Sequence, residues 1–209
     1  MPKQRVSASS TSDSFYRKVA TRGWRDTDYF TFSSSSPSLR RWMAAQIPKK
    51  RAAILSIGCG SGELEKHLQQ SHHRVIGLDL SHRMLKRAAQ KGLERAVVGD
   101  AQRLPFAPAS FDALMIMEAI GHLDLEAAFA EAQRVLRKGG RVLITTYTAR
   151  QGVQKNYRKY NFTELAAALR DTGFAIDEQL NLETKRSKVK AVPTEAEATL
   201  LYTAATRQA

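Results

Sequence analysis

At 209 residues, 43% of them hydrophobic, the chain is long enough for one well-buried core and too short for two full-sized domains. No apolar run approaches the ~20 residues that span a bilayer, and the first 13 residues lack the apolar centre of a secretory signal, so a soluble, cytoplasmic protein is expected. A single cysteine, Cys59, excludes an intramolecular disulfide framework and a cysteine metal site, the five histidines show no metal-ligand spacing, and a net charge of +13 points to a basic surface.

That charge is unevenly placed. Residues 1–51 carry 11 Lys/Arg against 3 Asp/Glu and residues 150–191 carry 9 against 5, whereas 52–149 are close to balance at 12 against 10. Nucleic acid or an anionic membrane surface is therefore a partner to weigh against a merely solvated face. Small polar runs at 7–12 and 33–38 bracket Tyr16, Trp24, Tyr29 and Phe30. Such a stretch cannot bury a core of its own, so 1–37 is expected to be a basic, aromatic arm that packs on a domain formed by 38–209. Tyr16, Trp24 and Tyr29 are candidate substrate-facing residues of a lid, or equally staples that hold the arm in place.

A helical pattern over 38–47 ends at Pro48, and the regular part begins behind it. Ala53–Ile57 reads as a buried strand that runs into Gly58, Gly60 and Gly62. Glu63–Gln70 follows as a short helix and Arg74–Asp79 as a second strand. Ser81 is placed to cap a helix through Met84, Leu85 and Ala88 that stops at Gly92. Ala96–Val98 and Phe111–Met117 are the third and fourth strands, 125–136 a helix ended by Gly139 and Gly140, and 141–147 the fifth strand. A helix over 163–172, with Thr163 as its cap, precedes two strand-like runs at 174–182 and 199–206, which are expected to pair as an antiparallel hairpin. Strands alternating with helices at this spacing give a doubly wound, mainly parallel sheet covered on both faces.

The chemistry gathers where strands end. Gly58, Gly60 and Gly62 let the backbone turn sharply and let a ligand approach the main chain. Asp79, at the end of the second strand, can accept hydrogen bonds from both hydroxyls of a ribose, and Asp100, after the third, can accept from an exocyclic adenine amine. In a parallel sheet ligands lie beyond the carboxyl ends of the strands, so these features converge on one elongated nucleoside. A dinucleotide is disfavoured: the sixth position of a G-x-G-x-x-G count is Glu63 or Glu65, and two carboxylates in the first turn of the helix would repel a pyrophosphate.

The runs Ile57-Gly-Cys-Gly-Ser-Gly62, Gly-Leu-Asp-Leu-Ser81 with Met84 and Leu85, Gly-Asp-Ala-Gln102, and Phe111-Asp112 through Met117-Glu-Ala-Ile-Gly-His-Leu123 resemble the successive motifs of class I S-adenosylmethionine-dependent methyltransferases, in particular the small ubiquinone-biosynthesis type. The resemblance implies a Rossmann-like single domain whose seven-stranded sheet has the order 3-2-1-4-5-7-6, the last strand antiparallel. It implies S-adenosylmethionine as cofactor, with Gly58, Cys59 and Gly60 lining the methionine moiety, Asp79 on the ribose, Leu80 against adenine, Asp100 and Ala101 at the adenine edge, and Met117 and Glu118 near the methionine tail. Gly62 completes the loop. Many relatives carry an acidic residue where this chain has Gly121, before His122.

Methyl transfer from a sulfonium is an in-line displacement that asks mainly for alignment and exclusion of water. A base is needed only where the acceptor must lose a proton, and His122, Glu118 and Tyr147 are the candidates. Cys59 reads as a packing residue of the loop. The basic stretch 150–160, with Arg158, is expected to border the acceptor pocket. A small or medium-sized metabolite methylated on O, N, C or S is the leading acceptor; RNA, or lipid at an anionic membrane, is the alternative, and a catalytically silent cofactor-binding module is the third reading.

Overall fold

The computed structural model describes residues 41, 43–47, 51–148, 157–185, 188–194, 198 and 200–208. The aromatic arm, with Tyr16, Trp24 and Tyr29, lies outside them. Eight strands form one sheet: β1 (Ala53–Ile57), β2 (Arg74–Asp79), β3 (Ala96–Val98), β4 (Phe111–Met117), β5 (Leu136–Tyr147), β6 (Phe174–Lys185), β7 (Lys188–Ala191) and β8 (Leu200–Arg207). Among the described residues four helices join them: α1 (Glu63–Gln70), α2 (His82–Gln90), α3 (Leu125–Val135) and α4 (Phe162–Asp171).

The order across the sheet is β3-β2-β1-β4-β5-β8-β6-β7. β1 to β5 run parallel to one another, and β8 inserts antiparallel between β5 and β6. This is the expected order with one strand added. β7, a basic four-residue segment, pairs antiparallel with the end of β6 and forms the sheet's edge, so seven strands become eight.

Alternation along the strands explains the two layers. Ala53, Leu55 and Ile57 of β1, Leu114 and Ile116 of β4, and Val142 and Ile144 of β5 face one side, where Phe129 of α3 and Leu165 and Leu169 of α4 cover them. Ile54, Ala113, Met115 and Leu143 face the other, against Leu64 and Leu68 of α1, Met43 and Tyr202. Strands buried on both faces read as near-continuous apolar runs, as β1 and β4 do apart from Ser56 and Asp112.

Several boundaries differ from expectation, two of them for a visible reason. α4 is capped by Asn161, not Thr163: the Asn161 side chain accepts from the backbone of Glu164, whose carboxylate accepts from the backbone of Asn161, a reciprocal capping box. β5 starts at Leu136, and its pairing with β4 jumps from Leu136 opposite Phe111 to Arg141 opposite Ala113, with Gly139 and Gly140 in the irregular stretch. Ser81 caps α2 as expected, its hydroxyl accepting from Met84 N–H at 3.3 Å. No helix among the described residues is long and apolar enough to cross a membrane.

Candidate active site

The carboxyl ends of β1, β2, β4 and β5 and the loop after β3 lie along one edge of the sheet, which places Gly58, Asp79, Asp100, Glu118 and Tyr147 on a common rim. The glycine loop is pinned from below, because Gly58 and Cys59 both donate to Leu78 O, at 2.8 and 3.2 Å. Gly60 has φ +54, which a side chain adopts only with strain, and a Cβ there would meet only Met84, at 3.4 Å. Gly62 sits at the N-terminus of α1 and faces α2, where a Cβ would come within 3.0 Å of Ala88.

Asp79 ties loop and strand together. Its Oδ2 accepts from Gly60 N–H at 2.9 Å and its Oδ1 from Ser81 N–H at 2.8 Å. The carboxyl is buried, and burial raises its pKa while the two amides oppose the rise. Next to it Leu80 is 53% exposed and Val98, at the end of β3, is 51% exposed, an apolar surface at the rim that the core does not require. Asp100 is half-buried, and its Oδ1 accepts from Gln102 N–H at 2.9 Å in a turn. Ala101 is buried in the core beneath that turn.

Of the two carboxylates expected at the start of α1, one is turned away from the rim. Two residues along a helix is a rotation of about 200°, so Glu65 points at the sheet while Glu63 stays at the surface, paired with Lys91 at 2.6 Å.

Beyond β4 a second group forms. Glu118 has φ +56, a left-handed conformation rare outside glycine, and its Oε2 accepts from the Tyr147 hydroxyl at 2.6 Å. Met117 is buried below, with its sulfur accepting from Thr145 Oγ1 at 3.6 Å. Tyr157, absent from the sequence-based candidates, joins this group: its ring packs edge-on to Tyr147 and to His122, and its hydroxyl shares a hydrogen bond of 2.9 Å with Thr146. Burial lowers the pKa of His122 and raises that of Tyr157. Nothing in the spacing around Tyr157 marks it.

Gly121 now has a structural reason. Arg158 N–H donates to Gly121 O at 2.9 Å, and a Cβ on Gly121 would strike Arg158 O and come within 2.5 Å of the Tyr157 ring. The site of the missing acidic residue is filled by the returning chain. The Arg158 guanidinium itself faces outward, 4.5 Å from the Tyr160 ring centre and 3.1 Å from Glu164. Cys59 is a free cysteine whose thiol burial and the nearby Glu65 and Asp79 push strongly toward the protonated form, which disqualifies it as a nucleophile.

Residues 55–144 match a family model described as a methyltransferase domain. Over 129 residues the chain is 34% identical to phosphatidylethanolamine N-methyltransferase of Cereibacter sphaeroides, covering 58% of this chain and 63% of that one. Over 135 residues it is 30% identical to ubiquinone biosynthesis O-methyltransferase of Xylella fastidiosa, covering 60% and 55%. Residues 55–144 thus form a methyltransferase domain, and the chain resembles the class I S-adenosylmethionine-dependent methyltransferases. The fold agrees: a TehB-like methyltransferase from Corynebacterium glutamicum superposes with a TM-score of 0.66 at 23% identity, covering 95% of this chain and 97% of that one. The chain spans 63% and 55% of the length of these two curated relatives.

S-adenosylmethionine is the cofactor of this family, and the rim fits it. Gly60 leaves the main chain open to a ligand, Asp79 offers a fixed carboxylate at the end of β2, and Leu80 offers an exposed apolar face beside it. No group of three or more metal-ligating side chains occurs among the described residues.

Proposed function

We propose that the chain transfers a methyl group from S-adenosylmethionine to O, N, C or S of a small or medium-sized metabolite in the cytoplasm. The single observation that carries this reading is the placement of two hydrogen-bonded constellations on one rim: Asp79 with Gly60, and Glu118 with Tyr147. The first suits a nucleoside and the second suits an acceptor that must give up a proton.

The cofactor supplies a methyl group already activated by its sulfonium. The chain's work is to hold and to exclude. Gly58, Cys59 and Gly60 line the methionine moiety, Asp79 accepts from the ribose hydroxyls, Leu80 covers adenine and Asp100 accepts from its amine. Tyr147 takes a proton from the acceptor onto its hydroxyl oxygen as its own proton passes to Glu118, a transfer that the 2.6 Å bond between them already prepares. His122 and Tyr157 form an aromatic wall that keeps water from this pair.

The deciding experiment is incubation of the purified protein with methyl-labelled S-adenosylmethionine and fractionated cell extract. Label in the small-molecule fraction supports the reading. Label confined to RNA or lipid replaces the acceptor class, and no label in any fraction removes the activity.

A further inference from the structure

One carboxyl lies beneath the glycine loop without a part in the chemistry above. Glu65 sits in the first turn of α1, yet it is only 2% exposed, and it turns onto β1, where Ser56 Oγ donates to its Oε1 at 2.5 Å. Ser56, the carboxyl's partner, precedes Gly58 by two residues of strand and so lies roughly 7 Å below the start of the loop at about 3.3 Å per residue. It is electrostatically coupled to Cys59 in the loop and to Asp79 at the end of β2.

Its surroundings make a charge there expensive. From β1 it meets the neutral Ser56, from the loop the protonated Cys59, from β2 the carboxyl Asp79 and on its own helix Glu63; Asp79 and Glu63 both disfavour its ionised form. The apolar neighbours on α1, Leu64 and Leu68, bring no compensating charge. Burial and these two acids push Glu65 up to about 7. A buried acid surrounded by like charge and neutral groups is relieved by a cation brought in from outside. The cofactor is such a cation: S-adenosylmethionine carries an ammonium and a sulfonium against one carboxylate, whereas the product S-adenosylhomocysteine has lost the sulfonium and is neutral overall.

We infer that Glu65 is the buried counter-charge for the methionine end of S-adenosylmethionine, holding a proton in the cofactor-free protein and releasing it when the cationic cofactor binds above Ser56 and the glycine loop. The balance is simple. The carboxylic acid loses its proton to solvent, the carboxylate stays, and no bond to the cofactor forms. On methyl transfer the sulfonium charge disappears, Glu65 takes a proton back, and the neutral product is held less tightly. Glu65 is thus a positioning residue that separates cofactor from product by charge. The inference rests on the cofactor reading.

The test is calorimetric binding of S-adenosylmethionine and S-adenosylhomocysteine to the full chain and to Glu65→Gln, in buffers of different ionisation enthalpy. Glutamine keeps the size of the side chain and an oxygen that can accept from Ser56. In the parent, affinity for S-adenosylmethionine should rise about five- to tenfold between about pH 6 and 7.5, with roughly half a proton or more released per cofactor near pH 6.5. Affinity for S-adenosylhomocysteine should rise much less. In Glu65→Gln both proton release and the widening gap between the ligands should vanish. Proton release that persists undiminished in Glu65→Gln, or equal pH dependence for the two ligands in the parent, overturns the inference while leaving the cofactor reading intact. Should Glu65→Gln not fold, the parent's proton release and ligand gap still decide. Failure of the parent to bind S-adenosylmethionine at any pH overturns both.

Discussion

The Tyr147 hydroxyl reaches Glu118 Oε2 across 2.6 Å and so bridges the carboxyl ends of β5 and β4. Glu118 occupies that place in a left-handed conformation, φ +56, at a cost of roughly 1–2 kcal/mol for a residue with a side chain. Strain of this kind persists where the surroundings over-determine it, and here the backbone N–H of Glu118 also donates to Thr145 O at 2.9 Å. Tyr147→Phe removes the hydroxyl and keeps the ring against Tyr157. Methyl transfer to a protic acceptor should fall roughly 10²-fold or more, with S-adenosylmethionine affinity nearly unchanged. Label transfer and equilibrium binding measured on the same preparation check this. Undiminished turnover would remove Tyr147 from the chemistry.

Asp79 offers a different expectation, because its two oxygens already hold two amides. Asp79→Ala should weaken S-adenosylmethionine binding by about 1–3 kcal/mol, or about five- to 150-fold, and should also lower stability by leaving the amides of Gly60 and Ser81 without their acceptor. Asp79→Asn keeps an acceptor oxygen and should fall between. Calorimetry and denaturant unfolding separate the two losses. Binding by Asp79→Ala as tight as the parent's would displace the ribose from this carboxylate.

Stability without cofactor should fall as pH rises. Glu65 is raised from 4.5 to about 7 in the folded chain, so between these values the folded state binds the proton that the unfolded state has released. The stabilisation is complete below 4.5 and lost as pH passes through about 7, and Asp79, also raised, acts in the same sense. The Glu65 contribution is on the order of 3 kcal/mol. Glu65→Gln should therefore gain stability relative to the parent on going from about pH 5 to about pH 8 in denaturant unfolding. A difference that does not change with pH would contradict the buried, protonated acid.

The parallel half of the sheet and its glycine loop were legible because local signals and global fold agree there. β1 and β4 are apolar apart from Ser56 and Asp112, and each is followed by the turn residues that a strand end demands. By sequence the cap of α4 reads as Thr163 in place of Asn161, although Asn-x-x-Glu spells a capping box, because Thr163 competes for the same role two residues later. β7 was not legible, because Lys188-Val-Lys-Ala191 alternates over only four residues, too short a run to mark a strand, and it takes its place by pairing with β6. The Ser56–Glu65 bond and the packing of Tyr157 on His122 join elements whose relative rotation no periodicity reveals.

Gly121 can be tested directly. Alanine there would drive its Cβ into Arg158 O and to 2.5 Å from Tyr157 Cε1, so the returning chain must shift. Such overpacking costs about 1–3 kcal/mol. Gly121→Ala should lose about that much stability and should disturb the Tyr157 contacts with His122 and Tyr147, seen as a change in tyrosine fluorescence and in label transfer. A variant with the parent's stability and turnover would mean that residues 157 and 158 yield freely.

The nature of the acceptor can be read from salt. Neutralising several phosphates releases counterions, so an RNA acceptor makes the logarithm of affinity fall by roughly 0.7–0.9 per log unit of salt for each contact. A compact metabolite makes few such contacts. Arg158, joined to the Glu118 group through its backbone bond to Gly121, holds its guanidinium against Glu164 and the Tyr160 ring. Turnover should therefore change only modestly between low and physiological salt. Charge reversal at Arg158 and Lys159 should leave S-adenosylmethionine affinity almost untouched, at the expense of a surface ion pair worth about 1 kcal/mol or less. Salt titration of label transfer, with the double variant beside the parent, checks both. A steep salt slope for RNA together with loss of RNA methylation in the double variant would make the basic segments a polyanion track and RNA the acceptor.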